Sequence, residues 1–121
     1  MSGAPGRLVA GVRRGGVWLV NLDPVVGHER GGRRPALIVS SDHLHAIPSR
    51  LVIVVPITSR SRGMRAHVPI QPPEGGLAHP SYAVTEQPRA ISIQRLDRHL
   101  GDVDPATLAD VAVRLRWFMD L

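Results

Sequence analysis

The 121-residue chain contains no cysteine and no lysine. Without thiols it forms no disulfide framework and offers no thiolate to a metal or a substrate. Aromatic side chains are limited to Trp18, Tyr82, Trp117 and Phe118. A sheet that binds single strands by stacking successive bases needs several exposed rings, so an RNA-recognition platform of that type is excluded. No apolar run approaches the roughly 20 residues that a membrane-spanning helix requires, so no membrane partner is expected. No sustained apolar segment follows the start, so no secretory signal is read and the cytoplasm is the expected compartment. Internal repeats and shifts of composition are absent as well. The expectation is a flexible, Gly-rich tail over residues 1–12 and a single domain over residues 13–121.

What is present is positive charge. All fifteen cationic side chains are arginine, against ten acidic ones, for a formal net charge of +5. A GC-rich coding bias explains why lysine is missing, but not why arginines gather at residues 30–34 and 60–65. A guanidinium grips a phosphate through a planar fork, which a lysine point charge does not. Such a surface attracts polyanions.

The most informative stretch is VWLVNLDPVVGHERGGRRPALIVS, residues 17–40. Two apolar, strand-like segments flank a Gly- and Arg-rich loop that holds His28, Glu29, Arg30, Arg33 and Arg34. The β-propensity runs and turn residues predict strands at Val17–Leu22, Pro35–Ser40, Leu51–Ile57, Ala66–Ile70, Tyr82–Thr85, Ala90–Ile93 and Arg95–Val103. Pro56 marks an edge or a bulge. Ser41–Ser49 reads as a polar connection with one helical turn. The period then changes. Asp104 is a good N-cap and Pro105 a good first helical residue. Leu108, Val111, Ala112, Leu115, Phe118 and Met119 form an apolar stripe, with Asp110 and Arg114 placed to pair on the outer face. The sum is a mainly β (α+β) domain, a small antiparallel barrel or curled sheet closed by a C-terminal helix.

In order and spacing the motifs resemble the MazF/PemK family of toxin endoribonucleases. They run from Arg14–Gly15 and VWLVNLDP through GHERGGRRPALIVSSD, VVPITS and TEQPRAIS to the final GDVDPATLADVAVRLRWFMDL. The resemblance covers Arg14 to Leu121. It implies an SH3-like β-barrel that forms a homodimer. It also implies metal-independent, cofactor-free cleavage of single-stranded RNA at a short sequence, held in check by a cognate antitoxin. Carried over by position, Arg34 matches the catalytic arginine, Thr58 the catalytic threonine, Glu29 the glutamate of the same loop and Gln87 a glutamine that contacts RNA. His28 departs from the pattern, standing where the family commonly has serine.

RNA is cut when a ribose 2′-OH attacks the adjacent phosphorus. Arg34 suits stabilisation of the charge that develops on the phosphoryl oxygens. The Thr58 hydroxyl can hold a phosphate oxygen or the 2′-OH. Glu29 or His28 can take the proton, and histidine is the better base at neutral pH. Arg30 and Arg33 read as diffuse attractors of RNA. Ser59, Arg60, Arg62 and Arg65 lie directly after Thr58 and are placed to flank the RNA path. His43–Leu44–His45 carries no partner motif that would make it a metal site. An antitoxin would cover the arginine surface with an acidic, partly disordered segment. Two other functions fit the same barrel: a non-catalytic toxin that binds a protein target such as a topoisomerase, and an inactive RNA-binding relative.

Overall fold

The computed structural model describes residues 11–24, 26–29, 31–61 and 63–121. Arg30 and Arg62, both expected at the RNA surface, lie outside the described residues, as do residues 1–10 of the expected tail. Val12, also assigned to that tail, is buried in the core. Seven strands are found among the described residues: β1 (Gly16–Asn21), β2 (Arg33–Ile38), β3 (Leu51–Thr58), β4 (His67–Ile70), β5 (Ser81–Val84), β6 (Arg89–Ser92) and β7 (Leu96–Asp102). A short helix, α1 (Asp42–Ala46), joins β2 to β3, and α2 (Pro105–Met119) ends the chain.

Every pairing is antiparallel, and the sheet runs β4-β5-β3-β2-β1-β7 with β6 added to β3. It is the expected barrel-like arrangement, but the sheet path does not close, because its end strands β4 and β7 are not paired. β3 is the hub. One edge pairs with β2, while β6 takes Leu51–Val54 and β5 takes Ile57–Thr58. Pro56 therefore sits not on an edge strand but in the gap between the β6 and β5 ladders, where a residue without an N–H is tolerated.

Alternation along β2 and β3 explains why both read as continuous apolar runs. Leu37, Val39, Val55 and Ile57 enter one cluster, together with Val68, Ile70 and Val111. Ala36, Ile38, Val52 and Val54 enter a second on the other face, with Val20, Leu22 and Ile91. Both faces are covered, so neither needs polar residues. On α2 the predicted stripe holds through Leu108, Val111 and Leu115, which pack on the first cluster. Val111 is fully buried, a burial worth about 1.5–3 kcal/mol. Beyond Leu115 the stripe is less covered: Phe118 and Met119 are about half exposed, at 52% and 50%, and Met119 lines a hollow beside Val39 and Ile53. Arg114 does not pair with the Asp110 carboxylate. It donates instead to the backbone carbonyls of Asp110 and Arg65, tying α2 to the loop after β3.

Two local contacts fix the short connections to the sheet. Ser40 Oγ accepts from the Ile53 N–H at 3.0 Å and lies 2.6 Å from His45 Nε2, which pins α1 to β3. Gly76 has φ of +67°, and a Cβ there would lie 1.9 Å from the Leu100 carbonyl oxygen. The turn over Glu74–Gly76 thus rests directly on the backbone of β7. Gly76→Ala is expected to destabilise the domain by about 2 kcal/mol or more, from strain and overpacking together. Urea unfolding measures this, and a midpoint like that of the wild type would show that β7 yields.

Candidate functional site

Ala36 faces Pro56 and Leu37 faces Val55. That ladder ends at the Ala36–Pro56 pair, and Arg34 and Thr58 lie just beyond it, at the same end of the two antiparallel strands. Strand β2 begins at Arg33 rather than at Pro35, because Arg33 and Arg34 pair with Asn21 and Val20 of β1. Arg34 is therefore a strand residue paired to β1, not a loop residue. It is half-buried, and its Nε donates to the Gly31 carbonyl at 2.8 Å. Thr58 is buried at 7% exposure, and its Oγ1 accepts from the Arg60 N–H at 3.2 Å. That bond makes a hydroxyl-capped turn at the start of the loop over residues 59–65. The same hydroxyl donates to the Arg60 carbonyl at 3.5 Å, a long bond, and keeps a second lone pair to offer.

Arg34 and Thr58 line one cleft of about 650 Å³. Arg60 and Arg98 add two further guanidinium groups, Ser59 and Ser81 two hydroxyls, and His79 an imidazole. Pro35, Ile57, Leu77 and Leu100 supply the apolar part of the wall. No carboxylate is among the described lining residues. A concave site with three permanent cations and hydroxyl donors is built to take an anion, and a planar, forked donor set fits a phosphodiester.

The other expected residues are placed differently. His28 and Glu29 lie exposed on the β1–β2 loop and do not line the cleft. A Glu29 carboxylate oxygen accepts from the Val26 N–H and closes its own turn. The His28 carbonyl accepts from Gln87 Nε2 at 3.4 Å, so Gln87 meets that loop. The loop base is firmly held. Leu22 N–H donates to the Gly32 carbonyl at 3.0 Å, Gly32 N–H to the Asp23 carboxylate at 2.8 Å, and Arg89 to the Leu22 carbonyl at 2.8 Å. Arg95 donates to the Asp23 carbonyl as well. Arg33 forms an exposed ion pair with Asp97 of β7, an interaction worth about 0–1 kcal/mol. Arg65 is exposed, and its carbonyl accepts from Arg114.

Arg98, His79 and Ser81 were not singled out by the sequence as site residues. Arg98 faces Leu19 across β1–β7, and Leu19 faces Pro35 across β1–β2. That register brings it to the cleft, and β1–β7 carries two register shifts that no local pattern announces. His79 stands in a Pro/Gly loop whose path depends on the contact of Gly76 with β7.

Residues 13–119 match the family described as PemK-like, MazF-like toxin of type II toxin–antitoxin system. The chain is 37% identical to the endoribonuclease MazF9 of Mycobacterium tuberculosis over 115 residues, covering 91% of this chain and 98% of the relative. The fold is similar to that of MazF from Deinococcus radiodurans, with a TM-score of 0.81, 26% identity, and coverage of 91% of this chain and 97% of that one. It is also similar to a chain of the MazE–MazF complex of the same organism, at a TM-score of 0.74 and 27% identity, covering 91% and 96%.

If the cleft tracks a nucleic-acid backbone, Arg98→Ala should weaken binding of a single-stranded oligonucleotide. It should also lower the slope of log affinity against log salt by about one. A salt titration of binding checks this, and an unchanged slope would remove Arg98 from the contact surface.

Proposed function

The chain belongs to the PemK-like, MazF-like toxin family of type II toxin–antitoxin systems, and from that premise we propose how it works. It is an endoribonuclease that cuts single-stranded RNA in the cytoplasm without a metal ion, by attack of a ribose 2′-OH on the adjacent phosphorus. The observation that carries this reading is the single cleft that Arg34 and Thr58 line together with Arg60 and Arg98.

In that cleft Arg34 faces the charge that grows on the non-bridging oxygens during attack. Its bonds to Gly31 and to the β1 ladder orient it before substrate arrives, so little reorganisation opposes the reaction. Thr58 Oγ1 holds the 2′-OH or a phosphoryl oxygen. Arg60 and Arg98 neutralise neighbouring phosphates, while the loop over residues 59–65 and the Gln87–His28 contact flank the RNA path. The O2′–P bond forms as the P–O5′ bond breaks, leaving a 2′,3′-cyclic phosphate and a 5′-OH.

The relative from Deinococcus forms a complex with MazE. This chain is assigned a cognate antitoxin in the same way, with an acidic, partly disordered segment that covers the cationic cleft. It is also assigned a homodimer. Val113, Trp117 and Phe118 stand exposed on α2, the first two at 56% and 68%, and give such an assembly an apolar face.

Incubation of the purified protein with mixed single-stranded RNA in EDTA tests the reading. Discrete fragments with cyclic phosphate ends are expected. Arg34→Ala should slow their formation by about 10²–10³-fold, the usual loss when a preorganised donor is removed. Intact RNA alongside retained growth inhibition would favour a protein target instead.

A further inference from the structure

Cleavage by 2′-OH attack needs a group that accepts the hydroxyl proton, and neither Arg34 nor Thr58 is that group. A guanidinium stays protonated and an aliphatic hydroxyl is not basic at neutral pH. We propose that His79 is the proton-transfer residue of the cleft, an assignment that rests on the endoribonuclease reading.

The argument is one of placement. The chain has six histidines, and only His79 lines the cleft with Arg34 and Thr58. His67 is buried and paired with Glu86. His45 is held against Ser40. His99 packs on the Trp18 ring, at 5.3 Å between centroids, and faces Asp102. His43 is exposed on α1, and His28 lies on the β1–β2 loop outside the cleft. Imidazole is also the one side-chain type in the described lining that gains and loses a proton near neutral pH.

The backbone that carries His79 is anchored on both sides. Upstream, Gly76 rests on β7 and Leu77 is buried. Downstream, Ser81 Oγ donates to the His79 carbonyl at 2.8 Å, and Pro80 restricts the intervening bond. The imidazole itself is exposed at the rim, where a bound strand would pass. The charged groups that share its cleft are Arg34, Arg60 and Arg98, from β2, the loop after β3, and β7. They hold the phosphate while His79 handles the proton.

The step balances. Neutral His79 takes the 2′-OH proton, and the oxygen electron pair forms the O2′–P bond. The P–O5′ pair leaves on O5′, which takes a proton from water while the imidazolium returns its proton to solvent.

The test compares wild type, His79→Ala, His79→Gln and a control, His43→Ala, on single-stranded RNA in EDTA across roughly pH 5 to 8. Binding to an uncleavable 2′-deoxy oligonucleotide is measured alongside. The expected result is a fall in kcat of about 10²–10⁴-fold for both His79 variants, with oligonucleotide binding retained. The limb of the pH profile that reports the base should vanish, and added imidazole should restore part of the rate to His79→Ala. His43→Ala should behave as wild type. Arg34-dependent cleavage that His79→Ala leaves unchanged overturns the assignment alone. A loss that preserves the pH profile and resists imidazole also overturns it, by making His79 structural. Wild-type protein that leaves RNA intact overturns the assignment and the endoribonuclease reading together.

Discussion

The pairing of β2 with β3 is the constraint on which the rest of the molecule depends. Leu37 against Val55 is its centre, and these two strands feed both hydrophobic clusters. A slip of one residue would send every side chain of a strand to the opposite face. Here that would exchange two cores at once, so the register is enforced from both sides. Arg34 and Thr58 stand at the same end of these two strands, just past the Ala36–Pro56 pair. The placement of these two side chains is therefore tied to core packing and not to loops alone.

The arginines divide by what they touch. Arg14, Arg89, Arg95 and Arg114 spend their donors on main-chain carbonyls and act as cross-links between elements. Arg33 balances Asp97. Arg34, Arg60 and Arg98 converge on one hollow whose described lining holds no acid. Like charges gathered this way repel, and an anion bound between them relieves that repulsion, so occupancy and stability of the domain are coupled. The bias towards arginine serves both groups, because a fork of five donors suits a carbonyl strut as well as a phosphate.

Much of this was legible in the sequence. Arg34 and Thr58 were found because each borders an apolar run that is also a strand, and the family pattern names both positions. The strands and the start of α2 were legible for the same local reason. The other wall of the cleft was not. Arg98 arrives through a pairing with two register shifts, and His79 through a backbone contact between Gly76 and Leu100. Both depend on residues distant in the chain. The end of α2 misled in the opposite way. Phe118 and Met119 continue a helical period but are only half covered, and periodicity carries no information about how completely a surface is packed over. Asp110 and Arg114 have ideal spacing for an ion pair, yet the open carbonyl of Arg65 took the guanidinium instead.

The meeting of Gly76 with β7 carries one more consequence. At that seam main chain lies on main chain, and a Cβ on Gly101 would stand only 2.6 Å from the Gly76 nitrogen. A joint without side chains has no size to vary. The seam thus sets how closely the turn before His79 approaches the strand that carries Arg98. Substitution can then alter what projects into the opening far more readily than how wide it stands.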